Sequence, residues 1–159
     1  KHVLDSLAAL DFFRESAGAA IADVGSGAGF PGVLLALFLP HCKIDLIERS
    51  ATKAAFLKTV KAVLPLENVE VKQQDLGRVD ARYDMVTYRA LQSLPAVMEE
   101  LCGITAGEGR IVLYKGKESA IAGEMASVQH LCRSWRLIRL EVPFLSEERN
   151  LVEIIPRRG

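Results

Sequence analysis

The chain has 159 residues, of which 50% are hydrophobic, 25% charged and 6% aromatic, and its twenty basic side chains balance twenty acidic ones. That length buries about 70% of the surface its unfolded chain exposes, enough for one cored domain, and the composition excludes fibrous, repetitive and disordered classes. The balanced charge excludes a global field that holds polyanions nonspecifically, so any nucleic-acid contact has to be made locally.

The opening stretch "KHVLDSLAALDFF" places Leu4, Leu7, Ala8, Leu10 and Phe13 at helical spacing, and Gly18 marks the end of that helix. Beginning without methionine inside an amphipathic segment, the chain reads as a fragment whose upstream residues are missing. "AAIADV" is a short apolar run closed by glycines, a buried strand, and Pro31 to Leu39 follows as a helix with proline in its permitted first turn. "KIDLIE" is the second strand, and Ser50 caps a helix that runs to Pro65. "NVEVKQQ" and "YDMVTYR" read as the third and fourth strands, "LPAVMEELCGI" as a helix, and "GRIVLYKG" as the fifth strand. The helix "SAIAGEMASVQHLCRS" then leads to two alternating runs, "WRLIRLEVP" and "RNLVEIIPR", close enough in sequence to pair antiparallel. Strands separated by helices predict an α/β fold with a doubly wound, mainly parallel sheet of seven strands, ending in an antiparallel hairpin. No linker or composition shift divides it, so residues 1–159 read as a single domain.

Cys42, Cys102 and Cys132 form no CxxC pair and no cluster at metal spacing, which predicts reduced thiols, a cytosolic location and no metal site. The longest apolar run falls far short of the ~20 residues that span a bilayer, and the N-terminus lacks a signal-peptide pattern. His2, His41 and His130 are scattered and read as surface or helix-end residues, and Trp135 reads as core.

The stretch with chemical content is "DVGSGAGFPG", Asp23 to Gly32, at the first strand-to-helix turn. In a doubly wound sheet that turn lines the ligand crevice, and glycines there let the backbone lie against a ligand with the helix amides facing it. Gly27, Gly29 and Gly32 also satisfy G-x-G-x-x-G, with Glu48 about twenty residues on to hold a ribose, so a nicotinamide- or flavin-dependent oxidoreductase stays open. Asp23 favours a different cofactor: a carboxylate at the strand end, directly before the glycines, suits the ammonium of S-adenosylmethionine. Glu48 ends the second strand, where it can accept from both ribose hydroxyls. Asp75, in "QQDLG" after the third strand, is placed to read an adenine edge together with the amides of Leu76 and Gly77. Arg89 ends the fourth strand and faces the crevice, in reach of both cofactor and nucleotide. Lys115 and Lys117 flank Gly116 after the fifth strand, and Arg149 precedes the last strand; basic groups so placed suit nucleic-acid backbone phosphates.

Together "DVGSGAGFPG", "LIERSATKAAFLKTV", "LENVEV", "YDMVTYRALQSL", "VLYKGK" and "ERNLVEIIPR", with "KHVLDSL" before them, resemble the small-subunit ribosomal RNA guanine-N7 methyltransferases, the glucose-inhibited division protein B family, over nearly the whole chain. The resemblance implies a Rossmann-like class I methyltransferase that uses S-adenosylmethionine to methylate N7 of a guanine in 16S rRNA, as naked RNA or within the small ribosomal subunit. It also implies that Gly25, Phe30, Leu76, Gly77 and Arg89 contact the cofactor. Glu48 stands where the family more often has Asp, keeping the carboxylate on a longer arm. An N-terminal helical segment usual in the family is absent before "KHVLDSL". A noncatalytic ribosome-binding module on the same fold is the remaining alternative.

Overall fold

A computed structural model describes residues 2–16, 18–89, 93–142 and 147–158. Residues 90–92 of the "YRALQSL" stretch and Pro143 lie outside the described residues.

The N-terminal segment forms two short helices, α1 (His2–Ala8) and α2 (Leu10–Arg14), where the apolar spacing predicts one. The turn at Ala9 lets Leu10 and Phe13 both bury. The core alternation is then β1 (Ala20–Val24), α3 (Gly32–Phe38), β2 (Lys43–Ile47), α4 (Ala51–Val63), β3 (Val69–Lys72), β4 (Tyr83–Tyr88), α5 (Leu94–Ile104), β5 (Thr105–Lys115) and α6 (Glu118–Val128), and it ends with β6 (Cys132–Leu140) and β7 (Arg149–Pro156). Ser50 caps α4 as its position predicts, its hydroxyl accepting from Lys53 N.

The seven strands lie in the order β3-β2-β1-β4-β5-β7-β6. The first five are mutually parallel, and β7 is antiparallel to both β5 and β6. The predicted C-terminal hairpin therefore exists, but its second strand sits inside the sheet and its first forms the edge. Helix α6 stops at Val128 and β6 starts at Cys132, earlier than the apolar pattern suggests. Because β6 is the edge strand, its Trp135 is 38% exposed, contrary to its reading as core.

Strand side chains alternate between two apolar layers. Ala22, Val86, Ile111 and Ile154 pack with α5 and α6, whereas Ile21, Met85, Val112 and Leu151 pack with α2, α3 and α4. Covering on both faces explains why β1 and β4 read as nearly continuous hydrophobic runs. Polar stitches fix the ends: Asn68 Nδ2 donates to the carbonyls of Ala36, Leu39 and Cys42 at 3.1–3.2 Å. The Tyr83 hydroxyl donates to Asp45 Oδ2 at 2.6 Å, and Lys72 joins the same carboxylate. The three cysteines are free, and burial pushes the Cys102 thiol up to about 11. Among the described residues no helix is long and apolar enough to cross a membrane.

Gly32 shows why the end of the glycine stretch admits no side chain. A Cβ there would stand 2.2 Å from Leu46 Cδ2 and 2.6 Å from Asp23 Oδ2. Gly32→Ala is expected to destabilise the fold by about 3 kcal/mol, read as a lower urea midpoint at unchanged slope; an unchanged midpoint would show that β2 yields easily.

Candidate functional site

The strand order runs outward in both directions from the β1/β4 pair, so their carboxyl ends form the switch point where open α/β sheets bind ligands. The glycine loop covers this point, with Gly25, Gly27 and Gly29 at φ 70°, 55° and 92°. It is strapped to the next strand: Gly25 N and Ser26 N both donate to Ile47 O, at 2.8 and 3.2 Å, and the Ser26 hydroxyl donates back to Asp23 O at 2.7 Å. At Gly25 a Cβ would find nothing within 4 Å, so its bareness serves the left-handed backbone and leaves open space on the crevice side.

Two buried carboxylates hold the loop in shape. Glu48, 5% exposed, accepts from Gly27 N at 3.0 Å and from Ser50 N at 2.8 Å, one bond to each oxygen. Each oxygen has a further lone pair, so the group can strap the loop and still accept from a ligand hydroxyl. Asp23, 1% exposed, accepts from Gly32 N and from the Thr87 hydroxyl, both at 3.0 Å. Burial raises its pKa from 3.8 to about 6, against the lowering effect of its hydrogen bonds and of Arg89. The carboxylate expected to receive an ammonium is thus buried and is not among the residues lining the crevice. It lies beneath the loop, where it grips the start of α3 through Gly32 N and ties β1 to β4 through the Thr87 hydroxyl.

Above the loop lies a cavity of about 700 Å³, within the ~300–1,000 Å³ typical of small-molecule sites. Of the expected cofactor residues, Gly25, Glu48, Asp75, Leu76, Gly77 and Arg89 line it together, from four separate segments. Asp75 precedes the 3₁₀ turn Leu76–Arg78 and is exposed, as is Gly77, with Leu76 half-buried between them. Asp23, Gly27, Gly29 and Phe30 are not among the lining residues; the two glycines and Asp23 shape the loop from behind. Residues the sequence did not flag also line the wall, among them Tyr88 at the end of β4, Ala96, Val97 and Glu100 on α5, and the bases Arg49, Lys53 and Arg78. Positions 96, 97 and 100 share one helical stripe, a signal available once α5 is recognised as the helix after β4.

Of the bases expected on the substrate side, Arg89, Lys115 and Arg149 are tied down by carboxylates, whereas Lys117 is exposed at the start of α6. Lys115 Nζ meets Glu124 Oε2 at 2.7 Å, and Glu124 also accepts from Leu94 N. Arg89 and Arg149 each reach Asp5 at 3.2 Å, and Arg149 also pairs with Glu147. Arg89, Lys115 and Arg149 border a second, smaller cavity of about 180 Å³, and Arg89 lines both cavities. Among the described residues no group of three His, Cys, Asp or Glu is placed to hold a metal.

A seven-stranded sheet with its last strand reversed, and a glycine loop at the switch point, define the fold of the Rossmann-like methyltransferases. The SAM-dependent O-methyltransferase of Thermotoga maritima superposes with a TM-score of 0.75 at 15% identity, over 98% of this chain and 66% of that one. Residues 1–152 match the family described as "GidB: rRNA small subunit methyltransferase G", and the chain belongs to that family. Among curated relatives, the ribosomal RNA small subunit methyltransferase G of Borreliella burgdorferi (strain ZS7) is 37% identical over 155 residues, covering 95% of this chain and 72% of the relative. The protein of the same name from Treponema pallidum subsp. pallidum is 40% identical over 160 residues, covering 96% and 70%. Membership of a methyltransferase family decides against the nicotinamide reading of "GAGFPG".

Proposed function

We propose that this protein transfers a methyl group from S-adenosylmethionine to N7 of a guanine in 16S ribosomal RNA. One observation supports the reading: Glu48, the Asp75–Gly77 turn and Arg89 line a single crevice, and Arg89 also lines a second cavity with Lys115 and Arg149. The residues present fit the cofactor. Glu48 holds the ribose hydroxyls, Asp75 with the amides of Leu76 and Gly77 meets the adenine edge, and the bare backbone at Gly25 admits the amino-acid end. Gly27 and Gly29 set the loop's curvature, with Phe30 leading it into α3. Bound there, the cofactor supplies a sulfonium methyl, an electrophile that needs no metal and no oxidant.

Guanine N7 carries a lone pair outside the aromatic sextet and no proton, so the chain needs no general base. The work left to the side chains is alignment and exclusion of water. Tyr88, 6% exposed, and Val97, also 6% exposed, give the crevice apolar walls. Arg89, between the cavities, is suited to hold the nucleotide against the cofactor, with Lys115 and Arg149 beside it toward the RNA backbone. Because both cations start from carboxylate partners, RNA binding here is an exchange of ion pairs.

Incubating unmodified 16S rRNA, free and in small subunits, with labelled S-adenosylmethionine and then mapping the label tests the reading. One labelled guanine is expected. Binding of cofactor with no label in either RNA would point instead to the noncatalytic ribosome-binding alternative.

A further inference from the structure

Asp5 reaches two of the three substrate-side cations at once. It sits on α1, 4% exposed, and accepts from Arg89 Nη2 through Oδ2 and from Arg149 Nε through Oδ1, both at 3.2 Å. The two guanidiniums come from the end of β4 and the start of β7, with β5 between them in the sheet. All three residues line the 180 Å³ cavity together with Lys115. At 3.2 Å these contacts are longer than the short bidentate pairs that lock arginine to carboxylate. A buried negative charge therefore stands between two positive ones in a cavity that also holds the Lys115 ammonium.

We propose that Asp5 is a positioning residue for RNA: it sets the separation of Arg89 and Arg149 and stands in the place that a backbone phosphate of the bound RNA competes for. This rests on the RNA-methyltransferase reading above. A carboxylate in this role has two separable effects. Its charge opposes phosphate binding, because it neutralises cations that would otherwise neutralise RNA. Its geometry favours turnover, because it keeps the two guanidiniums at a fixed spacing beside the crevice.

The experiment measures RNA affinity against salt, methyl-transfer kcat and KM, cofactor affinity and melting temperature for wild type, Asp5→Asn, Asp5→Glu, Arg149→Ala and the Asp5→Asn/Arg149→Ala double variant. Asp5→Asn is expected to bind RNA about threefold more tightly, with a log–log salt slope steeper by about 1. Its kcat is expected to fall at least tenfold while cofactor affinity holds. Asp5→Glu, which keeps the charge and moves it, is expected to retain the wild-type slope and still lose turnover. In the Arg149→Ala background the slope gained by Asp5→Asn is expected to shrink, because Arg89 is then the only guanidinium that Asp5 pairs with.

A wild-type slope and kcat in Asp5→Asn would overturn the proposal. So would a parallel loss of melting temperature, cofactor affinity and RNA affinity, which is what a purely structural residue gives. If Asp5→Asn does not fold, Asp5→Glu decides, and full turnover in it counts against positioning. Should wild type label no RNA, the functional reading fails, and the salt slopes alone still judge whether Asp5 competes with phosphate.

Discussion

Glu48→Gln is expected to weaken S-adenosylmethionine binding about a hundredfold, a loss of ~2.7 kcal/mol. The carboxylate accepts one backbone N–H on each oxygen, from Gly27 and from Ser50. An amide of the same shape has one acceptor oxygen, so whichever way it turns, its NH₂ meets an N–H donor. That mismatch strands a buried donor at a cost of about 1–3 kcal/mol and releases the strap between β2 and the glycine loop. A fall in melting temperature of a few degrees should accompany the loss, at about 2–4 °C per kcal/mol for a chain of this size. Calorimetry reads the affinity and a thermal melt reads the strap. Wild-type affinity in Glu48→Gln would show that neither the strap nor a carboxylate at this position matters to the cofactor.

The second large effect is a pH dependence carried by Asp23. Burial raises its folded-state pKa to about 6 from 3.8, so between those values the folded chain holds the proton more tightly than the unfolded one. This group's contribution to stability is therefore greatest at the acid end, declines as pH rises toward about 6, and is a constant penalty above it. The two-unit shift corresponds to a penalty on the order of 3 kcal/mol. Asp23→Asn can keep both hydrogen bonds, its oxygen accepting from Gly32 N and its NH₂ donating to the Thr87 hydroxyl. The variant is therefore expected to be more stable than wild type at pH 8, with little of the slope between pH 4 and 6, in denaturant titrations at several pH values.

Cofactor binding should move the other way. Ionised Asp23 lies under the loop where a cationic cofactor is proposed to sit, so wild-type affinity is expected to fall as pH drops below 6. In Asp23→Asn it should be weak and flat with pH. Burial holds the nearby Tyr114 phenol well above its usual value, so it stays neutral across this range. A variant that is both less stable at pH 8 and unchanged in affinity would show that the buried charge is not what the site uses. The trade of stability for charge is common at functional sites.

The local elements were largely legible in the sequence, and the long-range ones were not. Helix α5 matches "LPAVMEELCGI" residue for residue, because proline at its start and a clean apolar stripe bound it on both sides. The single helix expected over residues 4–13 failed at Ala9, since burying both α1 and α2 against α3 rewards a turn that no glycine or proline announces. The boundary between α6 and β6 was misjudged because "SVQHLCRS" has no sharp period. Alternation showed that β6 and β7 pair, but pairing partners do not say that β7 enters the sheet beside β5.

At the site, the convergence of Gly25, Glu48 and the Asp75–Gly77 turn on one cavity was readable because each follows a strand end, which sequence locates well. The donors held by Asp23 and Glu48 are mostly backbone amides, which leave no mark in a sequence. The pairing of Asp5 with Arg89 and Arg149 spans most of the chain and was invisible for the same reason that distant contacts always are: only the folded sheet brings them together.

The insertion of β7 has a consequence for how the molecule comes into being. Strands β1 to β5 can assemble from successive strand–helix–strand units, but until β7 arrives β5 presents an unpaired edge, open to pairing with another chain. The strand that covers this edge begins with Arg149, so the pairing that shields β5 also brings that guanidinium beside Asp5 and Lys115. Sheet closure at β5 and assembly of the cavity lined by Arg89, Lys115 and Arg149 are therefore a single event.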